Sequence, residues 1–148
     1  KEFMAEVFKI AMGRLCVPTL DMVGATAMYK LPADFFNDVK AEYEHRRDVA
    51  YDALMKIPGV VCQKPGGAFY ITCKLPVENT EDLLLFLLNE FRDNNETVMY
   101  APAEGFYATP GLGRDELRIA YILKAEDMAR GIELLGKGIE AYKAKGGK

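Results

Sequence analysis

Glu116-Leu117-Arg118-Ile119-Ala120-Tyr121, together with the earlier Lys64-Pro65-Gly66-Gly67-Ala68-Phe69-Tyr70-Ile71, decides how this chain is read. In the later stretch Leu117, Ile119 and Tyr121 alternate with Glu116, Arg118 and Ala120, the period of a strand with one face buried. A guanidinium in such a strand is costly to desolvate unless an anion meets it. Arg118 is therefore the first candidate for a carboxylate-binding residue, because its planar fork matches a carboxylate with two parallel hydrogen bonds. The other reading of Arg118 is an ion pair with a carboxylate of the chain itself. In the earlier stretch the double glycine marks a bend that admits left-handed geometry or close approach to a ligand. It lacks the spacing of a phosphate loop. Phe69, opposite in phase to Ala68 and Tyr70, packs in the core or lines a pocket.

Outward from these strands the chain is mostly helical. Phe3, Val7, Ile10 and Ala11 recur at helical spacing up to Gly13. Pro18 forces Val17 into an extended conformation, and Thr19 or Asp21 is placed to cap a second helix running to about Lys30. A third helix follows Leu31-Pro32, with Phe35, Val39, Tyr43, Val49, Ala53 and Leu54 as its stripe. Ile57-Pro58-Gly59 stops it. Val60 to Cys62 and Ala68 to Cys73 read as strands. Asn79 or Thr80 caps a helix to about Arg92 whose apolar residues include Leu84, Leu85, Leu87, Leu88 and Phe91. Thr97 to Ala101 reads as a further strand, and Ala125 to Tyr142 as the last helix. This order implies a two-layer α/β domain with a sheet of three or four strands, mostly antiparallel, and helices on one face. Residues 1–30, rich in uncovered apolar positions, read as part of a different packing unit from 31–148.

Composition narrows the function. Of 148 residues, 50% are hydrophobic and 28% charged, with a net charge of -3 and no basic stripe, which argues against a nucleic-acid partner. No apolar run reaches membrane-spanning length, and Glu2 and Glu6 break any signal-peptide pattern. Three widely spaced cysteines, Cys16, Cys62 and Cys73, read as reduced thiols of a cytoplasmic protein, and a metal site would need them gathered in space. His45, between Glu44 and Arg46, reads as solvated. Arg46 and Arg47 read as helix-surface ion pairs with Glu42, Glu44 or Asp48.

The order of several landmarks resembles the C-terminal part of fold-type I pyridoxal-phosphate-dependent aminotransferases of class I/II, close to the aspartate aminotransferase group. They are Arg14-Leu15-Cys16-Val17-Pro18-Thr19, Tyr43-Glu44-His45-Arg46-Arg47-Asp48, Pro65-Gly66-Gly67-Ala68-Phe69-Tyr70, Thr97-Val98-Met99-Tyr100-Ala101-Pro102, Ala103-Glu104-Gly105-Phe106-Tyr107 and Glu116 to Tyr121. The resemblance assigns Arg118 to the substrate α-carboxylate and places Phe69 near the substrate. Arg14 becomes a reader of a side-chain carboxylate, approaching the active site of the partner subunit in a homodimer. Pro102 to Gly105 departs from the commoner Pro-Gly arrangement after this strand. The implied reaction moves an amino group from an amino acid, aspartate by preference, to a 2-oxo acid such as 2-oxoglutarate, with pyridoxal 5'-phosphate as cofactor.

Such enzymes need a lysine that forms a Schiff base with the cofactor. None of Lys9, Lys30 or Lys40 has the family's context for it. The expectation is that residues 1–30 are a remnant of the large cofactor-binding domain and 31–148 the small domain. This chain would then orient substrate in a larger enzyme while binding no cofactor and catalysing nothing alone. The rival reading is a non-catalytic domain that binds a small carboxylate or a partner through the same two-layer fold.

Overall fold

The computed structural model describes residues 2–13 and 17–147. The chain divides into two compact units, Lys1–Asp38 and Val39–Lys148. The first holds helix α1 (Glu2–Met12), helix α2 (Thr19–Ala25) and a 3-10 turn over Thr26–Lys30, none of which buries a residue. The second helix starts without the predicted side-chain cap. Pro18 sits at the N-cap position and its carbonyl accepts from the Met22 amide at 3.1 Å, which places Thr19 inside the helix. The helix does not run to Lys30 as α-helix, because the Thr26 hydroxyl donates to the Val23 carbonyl at 2.6 Å where the coil tightens.

Helix α3 (Ala33–Leu54) carries the chain into the second unit, where Ala50 and Leu54 are fully buried. Gly59, at φ 84°, turns the backbone after it. Strands β1 (Val61–Cys62), β2 (Tyr70–Lys74), β3 (Ala101–Pro102) and β4 (Glu116–Ala120) form one antiparallel sheet in the order β1-β2-β4-β3. Helices α4 (Thr80–Asn89) and α5 (Ala125–Ala144) complete the unit. Ile71, Cys73 and Leu117 meet Leu54, Leu83, Leu87, Ile132 and Leu135 in one core, so α3, α4 and α5 cover one sheet face. This is the expected two-layer α/β architecture.

Further details differ from the sequence reading. The strand expected over Thr97 to Ala101 shrinks to Ala101–Pro102. The preceding residues are tied to α4 instead: the Thr97 hydroxyl donates to the Leu87 carbonyl and the Tyr100 hydroxyl to the Thr80 carbonyl, both at 2.6 Å. Burial of Tyr100 pushes its phenol up from the ordinary value. In α4 the packed residues are Leu83, Phe86 and Leu87, whereas Leu85 and Leu88 face solvent. Asn79 does cap this helix, its side-chain oxygen accepting from the Glu81 amide at 2.9 Å. Helix α5 approaches α4 so closely at Gly138 that an added Cβ would run into Leu87.

Candidate carboxylate site

The alternation of β4 settles where each side chain goes. Leu117 is fully buried among the helices, and Arg118 emerges half-buried on the opposite face, across from Thr72 of β2 and Ala101 of β3. Tyr70, Thr72, Lys74 and Glu116 share that open face by register. The Arg118 guanidinium carbon lies 4.8 Å from the Tyr70 ring centroid and 4.2 Å from that of Phe106, so two aromatic rings flank it.

Among the described residues Arg118 has no carboxylate within ion-pair distance and no hydrogen-bond acceptor. No side-chain nitrogen of the described residues is both buried and unpartnered, so the guanidinium nitrogens reach solvent. The internal ion pair considered from sequence does not form. The neighbouring carboxylates are engaged elsewhere: Glu116 accepts from the Tyr107 hydroxyl, and Asp115 pairs with Lys74. The Glu116 bond raises the Tyr107 phenol above its ordinary value, holding the proton on the tyrosine. Arg114 points to Glu104 at 4.0 Å.

The glycine bend is held from two sides. The Tyr121 hydroxyl donates to the Ala68 carbonyl at 2.7 Å and to that of Gly67 at 3.1 Å, while Arg47 donates to the Pro65 carbonyl at 3.4 Å. Neither Gly66 nor Gly67 takes the left-handed conformation that the sequence suggested. Ala68 does, at φ 63°, and β2 therefore begins at Tyr70 rather than Ala68. The two carbonyls gripped by Tyr121 belong to the peptide units on either side of the Ala68 Cα, which gives the physical reason. Phe69 is 55% exposed and its ring packs 4.9 Å from Tyr43 of α3. Tyr70 and Phe106, not Phe69, are the aromatic residues against Arg118. Sequence reasoning did not single out Tyr70 or Phe106 as neighbours of Arg118. Nothing local could have found either: Tyr70 shares the face of Arg118 only through the register of β2 on β4, and Phe106 reaches it from a 3-10 turn twelve positions earlier in the chain. Arg14 and Cys16 lie outside the described residues.

Before β3 begins, the chain lies apart from β4 and leaves an apolar cavity of about 460 Å³, bounded by Met99, Ile119, Leu123, Met128 and Leu135. Arg118 and Asp127 are its charged lining residues. Elsewhere His45 is exposed. Arg46 pairs with Glu42 at 2.6 Å and Arg47 with Asp48 at 2.8 Å, both arginines half-buried, and Arg46 also donates to the Ile122 carbonyl at 2.6 Å. Among the described residues no cluster of metal-ligating side chains occurs, and no helix is long and apolar enough to cross a membrane.

The comparison with known proteins begins with an absence: no family model matches the chain. It is 35% identical over 126 residues to the "Probable aspartate/prephenate aminotransferase" of Aquifex aeolicus, covering 84% of this chain and 31% of that protein. The alanine aminotransferase structure from Pyrococcus furiosus superposes with a TM-score of 0.67 at 26% identity, over 90% of this chain and 33% of that one. An alpha-aminoadipate aminotransferase structure from Thermus thermophilus gives a TM-score of 0.71 over 97% of this chain and 36% of its own, and at 24% identity it speaks to fold alone. The chain thus spans about a third of the relatives it matches. It belongs, as a partial match, to the fold-type I pyridoxal-phosphate-dependent aminotransferases of class I/II.

The strand residues on the Arg118 face offer no lysine suited to a Schiff base. A Schiff-base amine must lose its proton readily, which calls for desolvation or a neighbouring cation. Lys74, the lysine on the Arg118 face, is instead paired with Asp115, and that bond raises its pKa.

Proposed function

We propose that this chain is the substrate-orienting part of a pyridoxal-phosphate-dependent aminotransferase, with Arg118 holding the substrate α-carboxylate. The observation that carries the reading is Arg118 itself: fixed in mid-sheet, flanked by Tyr70 and Phe106, and given no anion by the described residues. A guanidinium so placed is pre-organised, and a planar carboxylate supplies what it lacks. Residues 31–148 would correspond to the small domain and residues 1–30 to the large one. In this assignment Phe69 lines the entrance to the site, and Arg14 reads a second carboxylate from the partner subunit of a homodimer.

Aspartate is the preferred donor, in keeping with the name of the Aquifex relative, and 2-oxoglutarate is the preferred acceptor. Alanine and alpha-aminoadipate, in the names of the two structures, share the same α-carboxylate. The cofactor chemistry would be supplied by residues outside this chain, so the chain alone orients substrate without transferring its amino group. The rival reading, a carboxylate-binding domain without chemistry, uses the same arginine.

The test is amino transfer from aspartate to 2-oxoglutarate by the full-length gene product, beside its Arg118→Gln variant and beside this chain alone. Loss of a charged bidentate contact worth about 1.5–3 kcal/mol weakens substrate binding roughly ten- to hundred-fold. The variant should show that loss for both amino and oxo acid, and the isolated chain should be inactive. Unchanged kinetics in the variant would remove Arg118 from the site. A full-length product that binds aspartate through Arg118 without transferring its amino group would favour the rival.

A further inference from the structure

We propose that Cys62 and Cys73 form a cross-strand thiol pair that a peroxide oxidises to an intramolecular disulfide. The two residues are direct partners in the antiparallel register of β1 and β2, so their side chains leave the sheet on the same face. Directly opposed residues in such a ladder have Cα atoms about 4.5 Å or about 5.5 Å apart, according to the pair type, and both fall inside the range a disulfide bridges. The Cys62 thiol already leans across the ladder, donating to the Thr72 carbonyl at 3.7 Å. No Cys-x-x-Cys spacing announces this pair, because ten residues separate its members; the hairpin brings them together.

The two thiols have different access. Cys62 is half-buried on a two-residue edge strand, where small openings cost little, whereas Cys73 is 2% exposed. Peroxide therefore meets Cys62 first. The Cys62 thiolate attacks one peroxide oxygen, the O–O bond breaks, and sulfenic acid forms with release of hydroxide. The Cys73 sulfur then displaces hydroxide from the Cys62 sulfur as its own proton leaves. The sum is two thiols and one hydrogen peroxide giving one disulfide and two waters. Burial raises both thiols, Cys73 to about 12, so the reaction is slow at neutral pH and quickens as pH rises.

The product would close a ring around Gln63 to Thr72, the segment that carries the Pro65–Phe69 bend and Tyr70. Reduced, β1 is held to β2 by a two-pair ladder; oxidised, it is covalently attached. The inference does not depend on the carboxylate reading, since the pair lies on the core face and Arg118 on the other.

The experiment treats the folded, reduced chain with hydrogen peroxide, counts thiols in denaturant, and maps disulfides without reduction. Trypsin leaves both cysteines on one peptide, because Lys64 precedes Pro65, so chymotryptic cleavage at Phe69 or Tyr70 is used. The expected result is a fall from three thiols to one, a Cys62–Cys73 linkage, and full recovery with a reductant. In Cys73→Ser a dimedone-reactive sulfenic acid should persist at Cys62; if that variant does not fold, the wild-type map decides. Oxidation of Cys62 to sulfinic acid with Cys73 still alkylatable would overturn the proposal, as would a linkage made through Cys16.

Discussion

The two faces of β4 are built from neighbouring residues and behave as different materials. Leu117 is fully buried against α4 and α5, in a core closed by Leu83, Leu87, Ile132 and Leu135. One residue on, Arg118 stands among Tyr70, Phe106 and open solvent, with no carboxylate partner among the described residues. The closed face gains stability from removing apolar surface from water. The open face keeps a charge fixed and unpaired, which contributes little to stability and leaves it ready for a ligand. A strand that separates these tasks by alternation can vary one with small effect on the other.

That separation can be broken by experiment. The largest effect should come from Leu117→Ala, which leaves a cavity in a core without slack and costs about 2–5 kcal/mol in urea unfolding. Gly138→Ala attacks the same face from outside. Its new Cβ meets Leu87, which is fully buried and cannot swing away, so a loss of about 1–3 kcal/mol is expected. If either substitution weakened carboxylate binding as much as Arg118→Gln, the two faces would not be separable.

Smaller effects sharpen the comparison from the open side. Phe106→Ala removes one ring from the guanidinium sandwich, an exposed cation–π contact worth about 0.5–1 kcal/mol. Carboxylate affinity should fall about two- to five-fold while the urea midpoint barely moves, read by calorimetric titration beside unfolding. The least effect is predicted for acid. Asp93 is held below its ordinary 3.8, first by Lys137 and then by Arg130, and Glu133 below its ordinary 4.5 by the same two. Groups whose folded pKa is depressed contribute stability above the unfolded value and lose it as pH falls through the folded one. Thermal unfolding should therefore stay level from neutrality to about pH 5 and decline below about pH 4. These groups are solvent-exposed, so the decline should shrink in salt and be shallower in Asp93→Asn.

Much of this was legible in the chain. The alternation through Tyr121 separated Leu117 from Arg118, and the pairing of Arg46 with Glu42 followed from the i,i+4 spacing of a helix. Other features had no local signal. Leu83 to Leu88 is apolar without interruption, so no period singles out the face with Leu83, Phe86 and Leu87. The short β3 reflects two hydroxyls, of Thr97 and Tyr100, that reach across to α4 carbonyls. The left-handed residue proved to be Ala68 rather than either glycine, because Tyr121, just past the end of β4, grips the bend.

Side-chain period, proline and glycine, all local in the chain, already settled which residues alternate and which helices form, though not every point at which a helix stops. The sequence also marked Arg118 as a charge in need of a partner. Only the tertiary structure decided that no described residue supplies one, that Tyr70 and Phe106 flank it, and that Cys62 faces Cys73. Those facts join residues far apart along the backbone, and their proximity is set by strand register and by the packing of helices on one sheet face, neither of which any single segment encodes.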